Sequence, residues 1–97
     1  MEVSNQSNIV TITGNIKSFN DLQMIRSTID SLIGSYKNII INILDSISMT
    51  SSVLGYLNKI LFKDGINLTL NIYDEKLISL FSELNLTKIL NVKRLKI

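Results

Sequence analysis

Residues 38–57 read NIIINILDSISMTSSVLGYL, and this stretch decides the fold. An aliphatic run from Ile39 to Leu44, interrupted only by Asn42, gives way to polar residues, after which the hydroxyl pair Ser51 and Ser52 opens an amphipathic segment. So short an apolar run, bounded by turn-forming residues, reads as a strand, and Leu54, Leu57 and Leu61 at helical spacing make the following segment a helix. A strand this apolar is expected to be central in its sheet and covered on both faces. The chain thus carries two serines from a buried strand to a helix start. Unpaired N–H groups and partial positive charge make such a start a natural place to put and read a phosphate.

Composition bounds the chemistry around that helix start. The 97 residues make one domain, 1–97, large enough for a core without staples, and there is no Cys and no His. Disulfides, thiol chemistry, the usual zinc sites and a Ser-His-Asp triad are thereby removed. No glycine-rich dinucleotide or Walker motif follows any strand, so no cofactor is expected, and ATP belongs to a partner if it is used at all. The opening MEVSNQSN lacks the basic-then-apolar order of a signal peptide, and the apolar run at Ile39 falls far short of the roughly 20 residues that span a bilayer. The expectation is a cytoplasmic, non-enzymatic domain without a membrane span. Lys93, Arg94 and Lys96 form a basic tail, but three charges without interleaved aromatics read as a solvated chain end and not as a direct nucleic-acid site.

Outward from the central stretch, the apolar period switches between strand and helix, with no Pro anywhere. Residues 8–13, NIVTIT, alternate as a strand and end in the turn pair Gly14 and Asn15; a short edge strand over Glu2 to Ser4 precedes them. Ser18 and Asp21 form a capping-box-like start, followed by Leu22, Ile25, Ile29, Leu32 and Ile33 on one helical face, with Arg26 and Asp30 toward solvent and Gly34 at the end. The helix after Thr50 is expected from about Ser51 to Lys63, capped by Thr50 or Ser51 and closed by Gly65. Residues 66–73 alternate Leu68, Leu70 and Ile72 against Asn67, Thr69 and Asn71, as a strand with one wetter face near a sheet edge. Asp74 caps a third helix in which Leu77, Leu80, Phe81 and Leu84 face inward, and Asn85 terminates it. A last strand is expected over Lys88 to Val92. The sum is an α/β domain: a mixed, mainly parallel sheet of four to five strands with three to four helices.

With these elements placed, the chain resembles the STAS domain family of anti-sigma factor antagonists. Members carry a buried strand, a short loop, and a sequence close to Asp-Ser-Ser-Gly-Leu-Gly that opens a helix. IIINILDSISMTSSVLGYL follows that order without a gap, TITGNI matches the turn after the second strand, DGINLTLNI the Gly-led fourth strand, and LISLFSELNLTKILNV the last helix and strand. The resemblance implies a bacterial binding switch in transcription regulation: the unphosphorylated domain binds a serine kinase that is also an anti-sigma factor, phosphorylation of the first motif serine abolishes binding, and a serine phosphatase restores it. Ser51 is the matching acceptor. Thr50 stands where the family usually has Asp, and Val53 where it has Gly.

The resemblance places the partner-binding surface on Thr50, Ser51, Ser52, Val53 and Tyr56, with Ser51 as phosphorylation site. Each also has a plainer reading. Ser51 and Ser52 are suited to capping a helix, and Tyr56 to the rim of the core. Asp45 and Ser46 form a turn after the strand, and Asn42 is expected to hydrogen-bond to a neighbouring loop. The alternative function is a STAS-type adaptor subunit of a larger complex, such as a transporter ATPase, held without phosphorylation. An enzyme with Ser51 as nucleophile lacks an activated base.

Overall fold

Three of the five β-strands alternate strictly between buried residues and half-exposed or exposed ones, and this alternation defines the architecture. The computed structural model describes residues 1–96. In chain order the elements are β1 (Glu2–Gln6), β2 (Ile9–Thr13), α1 (Phe19–Ile33), β3 (Asn38–Ile43), α2 (Ser51–Phe62), β4 (Asn67–Ile72), α3 (Glu75–Glu83) and β5 (Val92–Arg94). The expected order of strands and helices is the observed one. The five strands form one sheet in the order β1-β2-β3-β4-β5, with β1 antiparallel to β2 and every other pair parallel.

A sheet whose parallel strands follow one another in sequence sends each right-handed crossover to the same side. Burial agrees: Val10 and Ile12 of β2, Ile39, Ile41 and Ile43 of β3, and Leu68, Leu70 and Ile72 of β4 are buried, as are Leu22, Ile25 and Ile29 of α1, Leu57 and Ile60 of α2, and Leu77 and Phe81 of α3. The opposite face carries Thr11, Asn38, Ile40, Asn42, Asn67, Thr69 and Asn71, all half-exposed or exposed. The expectation that β3 is covered twice is therefore corrected. Ile40, paired in register with Ile9 and Thr69, lies on the uncovered face and makes the apolar run look more buried than it is. Asn42 accepts a hydrogen bond from the Asn71 amide at 2.9 Å, so its partner is the next strand and not a loop; Asn38 accepts from Asn67 in the same way at 3.0 Å.

Local chemistry sets the element ends. Gly14 leaves β2 at φ +83°, and a Cβ there would sit 3.0 Å from the Met1 Cα, so both conformation and space call for glycine. Ser18 and Asp21 form the full capping box. Asp74 accepts from the Leu77 N–H at 2.9 Å, Asn85 turns left-handed at φ 58° after α3, and Gly65 does so after α2 at φ +67°. Two boundaries differ from expectation. Leu84 is exposed beyond the end of α3, and the final strand is β5 at Val92–Arg94, because residues 87–91 form a turn that ends in left-handed Asn91. Leu90, read as a strand residue, is buried from within that turn.

The buried Asp21 carboxylate accepts from the Lys17 N–H at 2.9 Å and the Ser18 N–H at 3.0 Å. The Lys17 contact, outweighing desolvation and reinforced by Ser18, holds its pKa below the ordinary 3.8. A depressed folded-state pKa contributes stability that is present above the unfolded value and lost as pH falls through the folded value. Urea midpoints of the native chain and Asp21→Asn should therefore differ most at about pH 6 and converge by about pH 2. A difference independent of pH would refute the role of the charge.

Candidate functional site

The segment after β3 does not hang free over the sheet end; it is laced to the segment after β2. Asp45 Oδ1 accepts from the Gly14 N–H at 2.6 Å, and Ser46 Oγ accepts from the Ile16 N–H at 3.0 Å while donating to the Ser48 carbonyl at 2.8 Å. Asn15 Oδ1 accepts from the Ile47 N–H at 3.0 Å, and Ser48 Oγ donates to the Ile16 carbonyl at 2.8 Å. Ser46 is 1% exposed, so its hydroxyl satisfies backbone groups that water cannot reach. These cross-loop bonds fix the approach to α2. They were invisible along the chain, since Asp45 and Ser46 carry the local signature of a turn and their partners lie about 30 residues away.

The lacing delivers residues 50–53 in a definite arrangement. Thr50 has extended backbone, and its Oγ1 accepts from the Val53 N–H at 3.2 Å, so Thr50 is the N-cap. Ser51 and Ser52 are the first two helical residues, and both are exposed. Their N–H groups lie ahead of the first helical hydrogen bond, Leu54 N–H to the Thr50 carbonyl at 3.1 Å. The first turn of α2 contains no acidic residue, whereas the first turns of α1 and α3 hold Asp21 and Glu75. Its partial positive charge is thus uncompensated by its own side chains.

Two residues expected on this surface are inside the core. Val53 is 2% exposed and Tyr56 3%. The buried stripe of α2 is Val53, Tyr56, Leu57 and Ile60, and Leu54 and Leu61, expected at its centre, lie partly buried on its flank. The rotation has a cause in α1: the Tyr56 hydroxyl donates to Asp30 at 2.5 Å, and the Arg26 guanidinium lies 5.3 Å from the centre of the Tyr56 ring. Burial, then the Asp30 contact, raises the phenol pKa well above its usual value, so Tyr56 stays neutral and donating. Arg26 and Asp30 are exposed, as read from the sequence, and still reach the tyrosine between the helices.

What remains outward is a surface of Ser51, Ser52 and Gly55 on α2, joined by the exposed Ile47 of the laced loop. Phe19, the first residue of α1, is exposed at the same end of the sheet, where β2 and β3 both finish. Exposures of 58% for Ile47 and 67% for Phe19 mark them as apolar side chains without an intramolecular role. Their sequence signal was slight: Ile47 sits among polar loop residues, and Phe19 falls outside the apolar stripe of its helix. Among the described residues no group of three or more potential metal-ligating side chains occurs, and no helix is long and apolar enough to cross a membrane.

Comparison with known protein families and with curated proteins finds no match to this chain.

The cap assignment has a direct test. Thr50→Ala should cost about 1 kcal/mol of unfolding free energy, whereas Ser51→Ala should stay within about 0.5 kcal/mol of the native chain, as judged by urea denaturation. Ser46→Ala, which strands the buried Ile16 N–H, should cost about 1–3 kcal/mol.

Proposed function

We propose that this chain is a protein-docking domain of the STAS type, that its partner docks on the start of α2, and that phosphorylation of Ser51 releases the partner. One observation carries the reading: Thr50 performs the capping, which leaves Ser51 exposed at a helix start whose first turn has no carboxylate. A serine consumed as a cap would be a structural residue. An exposed serine at N1 is open to a kinase, and the helix end tolerates the nearly two negative charges that a phosphate adds. A partner seated on a neutral patch bordered by Ile47 does not tolerate them.

The resemblance to anti-sigma factor antagonists supplies the partner class. It points to a serine kinase that doubles as anti-sigma factor, with a serine phosphatase to reset the switch. Val53, the branched residue at the family's glycine position, is buried and adds no bulk to the docking surface. Thr50 lacks the carboxylate of the family's Asp but keeps its capping oxygen. No catalytic role is assigned to this chain, and the ATP is the partner's.

Incubation with the cognate kinase and ATP should label Ser51. Ser51→Asp should weaken partner binding at least about tenfold, and Ser51→Ala should preserve it. Equal binding by both variants would remove the switch. Co-purification with a transporter-type ATPase regardless of ATP would replace it by the adaptor role.

A further inference from the structure

The sheet ends on one side at β5, and that edge differs chemically from the other. Residues 85–96 hold Lys88, Lys93, Arg94 and Lys96, four of the ten cations in the chain, and no carboxylate. Among the described residues the ion pairs are Lys59–Asp64 and Arg94–Glu75, so Lys88, Lys93 and Lys96 carry uncompensated charge. The edge at β1 carries only Glu2 as a charged side chain.

The backbone along β5 offers hydrogen-bonding groups to the outside. The Asn91 carbonyl accepts from the Leu70 N–H at 3.1 Å, and the Leu95 N–H donates to the Ile72 carbonyl at 2.9 Å. Odd-numbered residues of this segment thus bond to β4, and the alternate ones turn the Val92 carbonyl and both the N–H and carbonyl of Arg94 away from the sheet. The Val92 N–H is already taken by the Thr87 carbonyl at 2.8 Å. Beside this edge, at the start of α3, lies an open cleft of about 590 Å³ lined by Tyr73, Leu95, Lys76 and Lys96. The acidic residues that share the cleft are engaged: Asp74 caps α3, and Glu75 pairs with Arg94.

We infer that the β5 edge binds an acidic, extended peptide segment of a partner protein, which adds to the sheet as a sixth strand. Lysines on an edge repel another basic edge, which guards against pairing between copies of this chain. The same charges attract a strand carrying Glu or Asp at alternate positions, while the backbone of Arg94 supplies the pairing groups. The cleft beside Leu95 and Tyr73 receives an apolar side chain from the face of that strand turned toward α3. A second copy of this chain is a poor occupant, because its β1 offers one carboxylate. The surface is separate from the start of α2, so the inference stands independently of any role for Ser51.

The test titrates the isotopically labelled chain with a short peptide alternating Glu and Val and follows backbone amide resonances. The Arg94 and Lys96 amides should shift most, and affinity should fall at least about tenfold in Lys93→Glu/Lys96→Glu, a variant that leaves the core intact. N-methylating alternate residues of the peptide should abolish binding in one phase and spare it in the other, because only one edge of the peptide strand pairs. Ser51→Asp should bind the peptide like the native chain. Equal affinity for the peptide with Lys in place of Glu would overturn the inference. So would indifference to N-methylation in both phases, or equally strong shifts of the same amides by duplex DNA, since each would reduce the edge to a general anion surface.

Discussion

All three helices among the described residues cross on one face of the sheet, and most other features depend on that constraint. The core is then a single layer between helices and sheet, so each central strand needs only every second residue to be apolar. Ile39, Ile41 and Ile43, and Leu68, Leu70 and Ile72, meet that need. The other residues of those strands, Ile40 apart, are released to be Asn and Thr. The same constraint puts the starts of α1, α2 and α3 at the end of the sheet where the parallel strands finish, and so gathers the connecting loops there.

At that end, side-chain bonds between residues 14–16 and 45–48 tie two connections into one rim. Open α/β sheets bind ligands in a crevice where the strand order reverses, but this order runs straight from β1 to β5 and provides no such crevice. Burying Val53 and Tyr56 locks α2 from beneath, while Ser51 and Ser52 stay on top.

The order of elements, the caps at Ser18 and Asp74 and the left-handed stops at Gly65 and Asn85 were legible in the sequence because each rests on neighbouring residues. The errors lie where distant residues decide. Leu54, Leu57 and Leu61 satisfy helical periodicity as well as Val53, Leu57 and Ile60 do; the choice between them was made by Asp30 and Arg26, about 26–30 residues upstream of Tyr56. Ile40 reads as core until the helices are known to share one face. The final strand was placed four residues early because Ile89, Leu90 and Val92 form a short apolar run, whereas Leu90 is buried from within a turn and the strand begins at Val92. At the candidate site, the serine pair could be found from sequence, but which residue capped and which was free could not.

The amide pairs on the uncovered face carry a consequence for how the chain finds its alignment. NIIINI and NLTLNI share asparagines at their first and fifth positions, and in the folded sheet both pairs, Asn38 with Asn67 and Asn42 with Asn71, meet side by side. Sliding one strand by a single residue would turn its amides toward the core, where each would lack a partner. Sliding by two would keep the faces correct but separate both pairs. Apolar alternation alone would accept that second error. The asparagines therefore act as a key for strand alignment, discriminating between arrangements that the hydrophobic effect leaves nearly degenerate.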